Sequence, residues 1–139
     1  MPNPLIQPYL MFGGRCEEAL DFYRSALGAE VDLLIRYQDS PEPPPPGMLP
    51  AGFENKIMHT SFRIGSNTLM ASDGCEEGQQ FSGFSLSIQV ATETEADRFF
   101  TALSDGGQIQ MPLSKTFWSP RFGMLTDRFG IHWMINVAA

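Results

Sequence analysis

Two stretches of this chain, far apart, spell the same helix. Ala19, Phe22 and Tyr23 are matched by Ala96, Phe99 and Phe100 at a constant offset of 77 positions, and each set has the spacing of one apolar helix face. Further on, Arg63-Ile64-Gly65 is matched by Arg128-Phe129-Gly130 at an offset of 65. The falling offset places about twelve extra residues in the first half, and the stretch SPEPPPPGMLPAG accounts for them, since a run so rich in proline can be neither helix nor central strand. The chain therefore reads as two copies of strand–helix–strand–strand–strand, and a single copy cannot bury its apolar sheet face alone.

The first copy opens with the alternating run PLIQPYLMF at 4–12, broken by Pro8, which has no ladder donor. Gly13-Gly14 ends it. A helix is expected over Arg15–Leu27, with Glu17 and Glu18 in its first turn and Gly28 as its stop. A strand over Ala29–Gln38 and the Pro-rich loop at 40–52 follow. In the strand Lys56–Ile64, strict alternation puts Met58, Thr60, Phe62 and Ile64 on one face and Ile57, His59, Ser61 and Arg63 on the other. Gly65-Ser66-Asn67 turns the chain into Thr68–Ser72.

In the second copy Phe84, Leu86, Ile88 and Val90 alternate with Ser85, Ser87 and Gln89, and Thr92 stands at the capping-box offset from Glu95 before a helix over Glu93–Leu103. A strand over Gln108–Phe117, interrupted at Pro112, leads to a hairpin, FGMLTDRFGIHWMINV at 122–137. Its turn, Asp127-Arg128-Phe129-Gly130, has a glycine free to take positive φ. In the second arm Ile131, Trp133, Ile135 and Val137 form a wholly apolar face, while His132, Met134 and Asn136 form a mixed one that suits neither core nor bulk water. The expected organisation is a single domain over 1–139, with a first module at 4–73, a connector at 74–82 and a second module at 83–139.

Charge and composition exclude several classes of partner. The net charge of −7, from 16 acidic and 9 basic residues without a Lys/Arg cluster, argues against nucleic acid. No apolar run approaches the ~20 residues of a membrane span and no signal-peptide pattern opens the chain, so no membrane partner and a cytoplasmic location are expected. Cys16 and Cys75 make neither a disulfide framework nor a metal motif, and Cys16 stands near a helix N-terminus, a place that can lower a thiol pKa. Eleven Phe and eight Met exceed what one core of this size needs and could line a pocket or a subunit interface. No Gly-rich strand-to-helix turn of the dinucleotide type follows the first strand, and no cofactor is expected.

The paired βαβββ pattern, the helix containing Phe22-Tyr23-Arg24 and ending Leu27-Gly28, and the Asp-x-Phe-Gly turn of the last hairpin resemble the vicinal oxygen chelate superfamily of glyoxalases, extradiol dioxygenases and the fosfomycin and bleomycin resistance proteins. Within it, PYLMFGGRCEEALDFY, LMASDG and FGMLTDRFGIHWMIN resemble the PhnB-like branch, also labelled 3-demethylubiquinone methyltransferase-like. The resemblance implies an α+β fold of two βαβββ modules that form a curled mixed sheet with the helices outside, a ligand site on the concave face, and a homodimer. It also implies metal-ligand positions on the first and last strand of each module: Gln7, Ser85, the neighbourhood of Met70–Ser72, and Met134. Of these only Gln7 is an oxygen donor of the usual type, and Met134 stands where catalytic members carry a carboxylate. A thioether does not serve Mg²⁺, Mn²⁺ or Zn²⁺, so no metal is expected at the standard site.

A small organic ligand is the expected partner, with Gln7, Tyr9, His59, Ser85, Ser87, Gln89, Trp118, His132, Met134 and Asn136 lining its site. The alternative is a divalent-metal lyase, isomerase or transferase that uses displaced ligands, Gln7, His59 and His132. Each imidazole either meets the ligand or only hydrogen-bonds within its sheet. Arg63 and Arg121 either pair with an anionic ligand or are solvated charges, and Pro43–Pro46 is either a loop spacer or a docking run.

Overall fold

The apolar helix spacing and the two caps settle where the helices form. In the computed structural model, which describes residues 3–42, 45–76, 78 and 80–138, α1 spans Cys16–Leu27 and α2 spans Glu93–Ser104, so their starts lie 77 positions apart. Pro43 and Pro44 of the proline run, Glu77 and Gln79 of the connector, and Ala139 lie outside the described residues. At α2 the expected cap is present: the Glu95 amide donates to Thr92 Oγ1 at 3.2 Å. At α1 the cap comes from far along the chain. Asp73 Oδ1 accepts from the amides of Gly14 (2.9 Å) and Cys16 (2.8 Å), while Oδ2 accepts from Ile57 at 2.7 Å.

Two compact units result, Met1–Gln79 and Gln80–Ala139. In the first, β1 (Tyr9–Met11), β2 (Glu30–Arg36), β3 (Ile57–Ile64) and β4 (Asn67–Ser72) form a sheet in the order β1-β4-β3-β2. In the second, β5 (Leu86–Val90), β6 (Gln108–Ser114), β7 (Phe122–Thr126) and β8 (His132–Val137) form one in the order β5-β8-β7-β6. The outer pairs β1/β4 and β5/β8 are parallel and the remaining pairs antiparallel. This is the α+β, βαβββ architecture that the repeat implies.

One face of each sheet is closed by its helix. Ala19, Leu20, Tyr23 and Leu27 of α1 are buried together with Phe62, Leu69 and Ala71, and the Tyr23 ring stacks on Phe62 at 6.5 Å. In the second unit α2 packs on β7 and β8, and Ala96, Phe100 and Leu103 share that core with Leu125, Trp133 and Ile135. The fit is close at Gly123, where an added Cβ would stand 2.7 Å from the Phe100 ring.

The expected alternation is corrected at four places. The first strand pairs only from Tyr9, since Pro8 contributes a carbonyl to the Met70 amide (2.9 Å) and no donor, and Leu5 and Ile6 are exposed. Likewise β5 begins at Leu86, so Ser85 precedes it, and β6 ends at Ser114. In β3 a register shift against β2 between Ile35 and Arg36 reverses the phase, and Ile57 is fully buried instead of sharing a face with His59. Finally, Ser61 pairs with Met70 as Met124 pairs with Met134, so equivalent strand positions differ by 63 and 64. The turns explain why the offset of 65 did not hold: β3 and β4 are joined tightly at Gly65-Ser66, whereas 127–131 separate Thr126 from His132. The first unit's extra residues lie between β2 and β3, at 37–56, against 115–121 in the second.

Candidate functional site

Cross-strand register turns the face of the second sheet that lies away from α2 into a grid. Its central row runs Ser87, Met134, Met124, Met111 across β5, β8, β7 and β6. On one side lies the row Gln89, Asn136, Phe122, Ser114, and on the other His132 opposite Thr126. Residues paired in this way hold their Cβ atoms about 4.5–5.5 Å apart, so three thioethers form a continuous soft floor with polar groups at its edges. The sequence-predicted residues Ser87, Gln89, His132, Met134 and Asn136 are thus brought onto one face.

Three details give this face chemistry. Thr126 Oγ1 lies 2.9 Å from His132 Nδ1 and donates to Gln110 Oε1 at 3.1 Å. Asn136 Oδ1 is buried without a hydrogen-bond partner. Above Phe122, Trp118 stacks edge-on at 5.3 Å, and Trp118 meets Phe117 at 4.7 Å. Those last two residues belong to the β6–β7 loop, where Ser119 Oγ lies 2.8 Å from the carbonyls of both Arg121 and Val137 and accepts from the Val137 amide at 3.2 Å. The loop is thereby pinned to the end of β8, and it walls a groove of about 580 Å³ bordered by Glu93, Lys115, Phe117, Trp118 and Arg121.

The first sheet's face away from α1 carries Tyr9, Met70, Ser61 and Leu33 in one row, with His59 opposite Ile35 in the next. Tyr9 and His59 meet through the phenol oxygen and Nδ1 at 3.3 Å. Gln7 is half-buried ahead of β1 and outside any strand.

The two arginines that the sequence left open as anion partners are each paired with carboxylates. Arg63 Nε donates to Asp32 at 2.9 Å and its Nη2 to Glu30 at 2.8 Å, and those carboxylates push the guanidinium pKa above its usual value. Arg121 is paired with Asp97 and lies 3.9 Å from Glu93. Nor is Cys16 activated by its helix terminus: burial, then the charges of Asp73 and Glu17, push its thiol well up. Cys75 is exposed, with its sulfur 3.9 Å from the Tyr37 hydroxyl. Among the described residues no three His, Cys, Asp or Glu side chains gather as a metal cluster.

Sequence reasoning missed Met111, Met124 and Thr126, whereas it reads Phe122 as an aromatic wall of the pocket or as core. The alternation of β7 against Gly123 and Leu125 carried the signal for Met124 and Thr126. Met111 sits behind a bulge and breaks the period, so it carried none.

A model of the family described as 3-demethylubiquinone-9 3-methyltransferase matches residues 4–136. The chain is 38% identical to Protein YjdN of Escherichia coli, over 95% of this chain and 94% of that one. It is also 43% identical to protein PA1353 of Pseudomonas aeruginosa, with a TM-score of 0.85 over 98% of both chains. A structure from Bacillus cereus titled as a putative 3-demethylubiquinone-9 3-methyltransferase, PhnB protein, is 30% identical, with a TM-score of 0.80 over 97% of this chain and 100% of that one. At 12% identity, the fosfomycin resistance protein FosX from Listeria monocytogenes shares the fold alone, with a TM-score of 0.64 over 100% and 96% of the two chains.

Proposed function

Because the chain belongs to the family described as 3-demethylubiquinone-9 3-methyltransferase, the PhnB-like branch of the vicinal oxygen chelate superfamily, we propose that it binds a small organic molecule on the open face of its second sheet without a divalent metal. The observation that carries this reading is the row Met134, Met124, Met111, in which thioethers form the floor; Met134 is also where the resemblance implies the superfamily's carboxylate. A hard cation needs oxygen or imidazole donors, and the neighbours of Met134 across the strands are Ser87 and a second methionine. The residues paired with Met134 therefore do not fit such an ion. Thioethers suit flat apolar ligands instead, since sulfur packs favourably on aromatic rings, and Trp118 and Phe122 extend the same surface.

The methyltransferase activity in the family's description gains no support from the turn ahead of α1. A nucleotide-type cofactor is held by free amides at a Gly-rich turn opening a helix, but the Gly14 and Cys16 amides already donate to Asp73. Acidity of −7 supports the absence of a nucleic-acid partner. A second copy of the chain is the proposed partner, supported by exposed apolar side chains such as Ile6 and Phe117, both 96% accessible.

Metal analysis of protein purified without chelator, with thermal shifts in EDTA, Mn²⁺, Ni²⁺ and Zn²⁺, tests the reading. Far less than one ion per chain and an unchanged melting temperature in EDTA are expected. Stoichiometric metal whose removal lowers the melting temperature would overturn the reading in favour of an enzyme using displaced ligands.

A further inference from the structure

We propose that Gln110 and Thr126 hold His132 as its Nδ1–H tautomer, so that Nε2 presents a lone pair on the open face and the second sheet selects ligands carrying a weakly acidic hydroxyl, such as a phenol or an enol. This names a ligand class for the site proposed above and rests on that reading, but the tautomer is a property of the free protein.

A threonine hydroxyl has one proton to give. Thr126 gives it to Gln110 Oε1 at 3.1 Å, so the 2.9 Å contact with His132 Nδ1 can be a hydrogen bond only if Nδ1 carries the proton. In a neutral imidazole Nε2 is then an acceptor, and it has no hydrogen-bond partner among the described residues.

The backbone arranges the first link. Between the pairs Ile109–Leu125 and Met111–Met124 one residue of β6, Gln110, has no counterpart on β7. Such a bulge re-aims a side chain, and Gln110 reaches Thr126 although Thr126 is paired in register with Gln108. His59 provides the contrast. Its Nδ1 meets the Tyr9 hydroxyl at 3.3 Å, and among the described residues no third group fixes which partner donates.

The ligand class follows from what surrounds the lone pair. His132 and Met134 share one face of β8, and Met124 lies opposite Met134, so a ring resting on the thioethers brings a substituent beside the imidazole edge. Nε2 accepts a hydroxyl proton and offers nothing to an ether oxygen. Within this unit Arg121, the guanidinium considered as an anion site, is held by Asp97, which favours a neutral donor over a charged ligand. Thr126 is a positioning residue in this scheme, acting through His132.

The tautomer is read directly from nitrogen NMR of the full chain labelled with ¹⁵N-histidine at a pH where the imidazoles are neutral, with His132→Gln for assignment. An N–H-type signal for Nδ1 and a bare-nitrogen signal for Nε2 are expected. The reverse pattern in the wild-type protein overturns the proposal without any variant. Thr126→Val should shift the population toward Nε2–H, and Thr126→Ser should restore the wild-type pattern; a pattern unchanged in the valine variant overturns the role of Thr126.

Titration with phenol and with anisole, followed at the methionine methyl resonances, reads the selectivity. Phenol should bind at least tenfold more tightly, and Thr126→Val should erase the difference. Equal binding of both probes overturns the selectivity while leaving the proposed function standing. Binding of neither counts against that function and removes the ligand class with it, whereas the tautomer result stands on its own.

Discussion

Gly123 sets how closely β7 can approach the helix above it. A methyl group there would lie 2.7 Å from the Phe100 ring and 3.1 Å from both the Leu113 side chain and the Met111 carbonyl. Gly123→Ala should therefore lower the stability of the protein by about 1–3 kcal/mol, the usual range for overpacking, as a reduced urea midpoint with unchanged slope. Cys16 supplies a pH dependence. The unfolded thiol ionises near 9.0, while the folded one stays neutral to much higher pH because it is buried beside Asp73 and Glu17. A group whose folded pKa is raised contributes fully below its unfolded pKa and loses that contribution as pH rises above it, by about 1.4 kcal/mol per pH unit. Urea midpoints should fall between pH 8.5 and 10.5 more steeply in the wild type than in Cys16→Ala. Thiol reagents at neutral pH should modify Cys75 alone, since Cys16 is fully buried and Cys75 is exposed.

At the scale of elements, two buried carboxylates do what turn residues alone could not. Asp73 joins the end of β4 to the starts of α1 and β3, and Asp127 closes the β7–β8 turn by accepting from the amides of Phe129 (2.9 Å) and Ile131 (3.1 Å) and from the Trp133 indole at 2.8 Å. Removing an acceptor leaves each buried donor unsatisfied at about 1–3 kcal/mol, so Asp127→Ala should cost at least about 3 kcal/mol. Asp127→Asn should cost less, and hydrogen exchange at Ile131 should accelerate in both. In the sequence, Asp127 was legible only as a turn former and Asp73 not at all, because their partners are fixed by tertiary packing. The helices and the mixed face of β8 were legible, since each depends on a local period and a cap such as Thr92. What escaped was whatever a bulge or a missing donor shifts by one position: the late start of β1 after Pro8, the phase of Ile57, the placing of Gln110 and Met111. The pairing of Arg63 and Arg121 with acids from other elements escaped for the same reason as Asp73.

Across the whole molecule the two units repeat one topology but carry different open faces. The first presents Tyr9, His59 and Ser61 beside Met70, whereas the second presents a methionine row flanked by amides, hydroxyls and an imidazole. The strand order is shared, and the side chains on the exposed rows distinguish the two faces. The eight methionines can report where a ligand rests. Met111, Met124 and Met134 form the proposed floor, Met11 and Met70 lie in the first sheet, and Met48 is in the Pro-rich loop. With methyl-labelled methionine, a bound aromatic ligand should shift the resonances of 111, 124 and 134 together along one saturation curve and leave Met48 unmoved. Met124→Leu keeps the apolar volume but removes the sulfur, so it should weaken binding by only a few-fold, in line with about 0.3–1.5 kcal/mol for one sulfur–ring contact. Met124→Glu would introduce an unpaired carboxylate into the floor and should abolish binding. A ligand that shifts Met11 and Met70 but none of the three would assign binding to the first sheet and overturn the proposed site on the second.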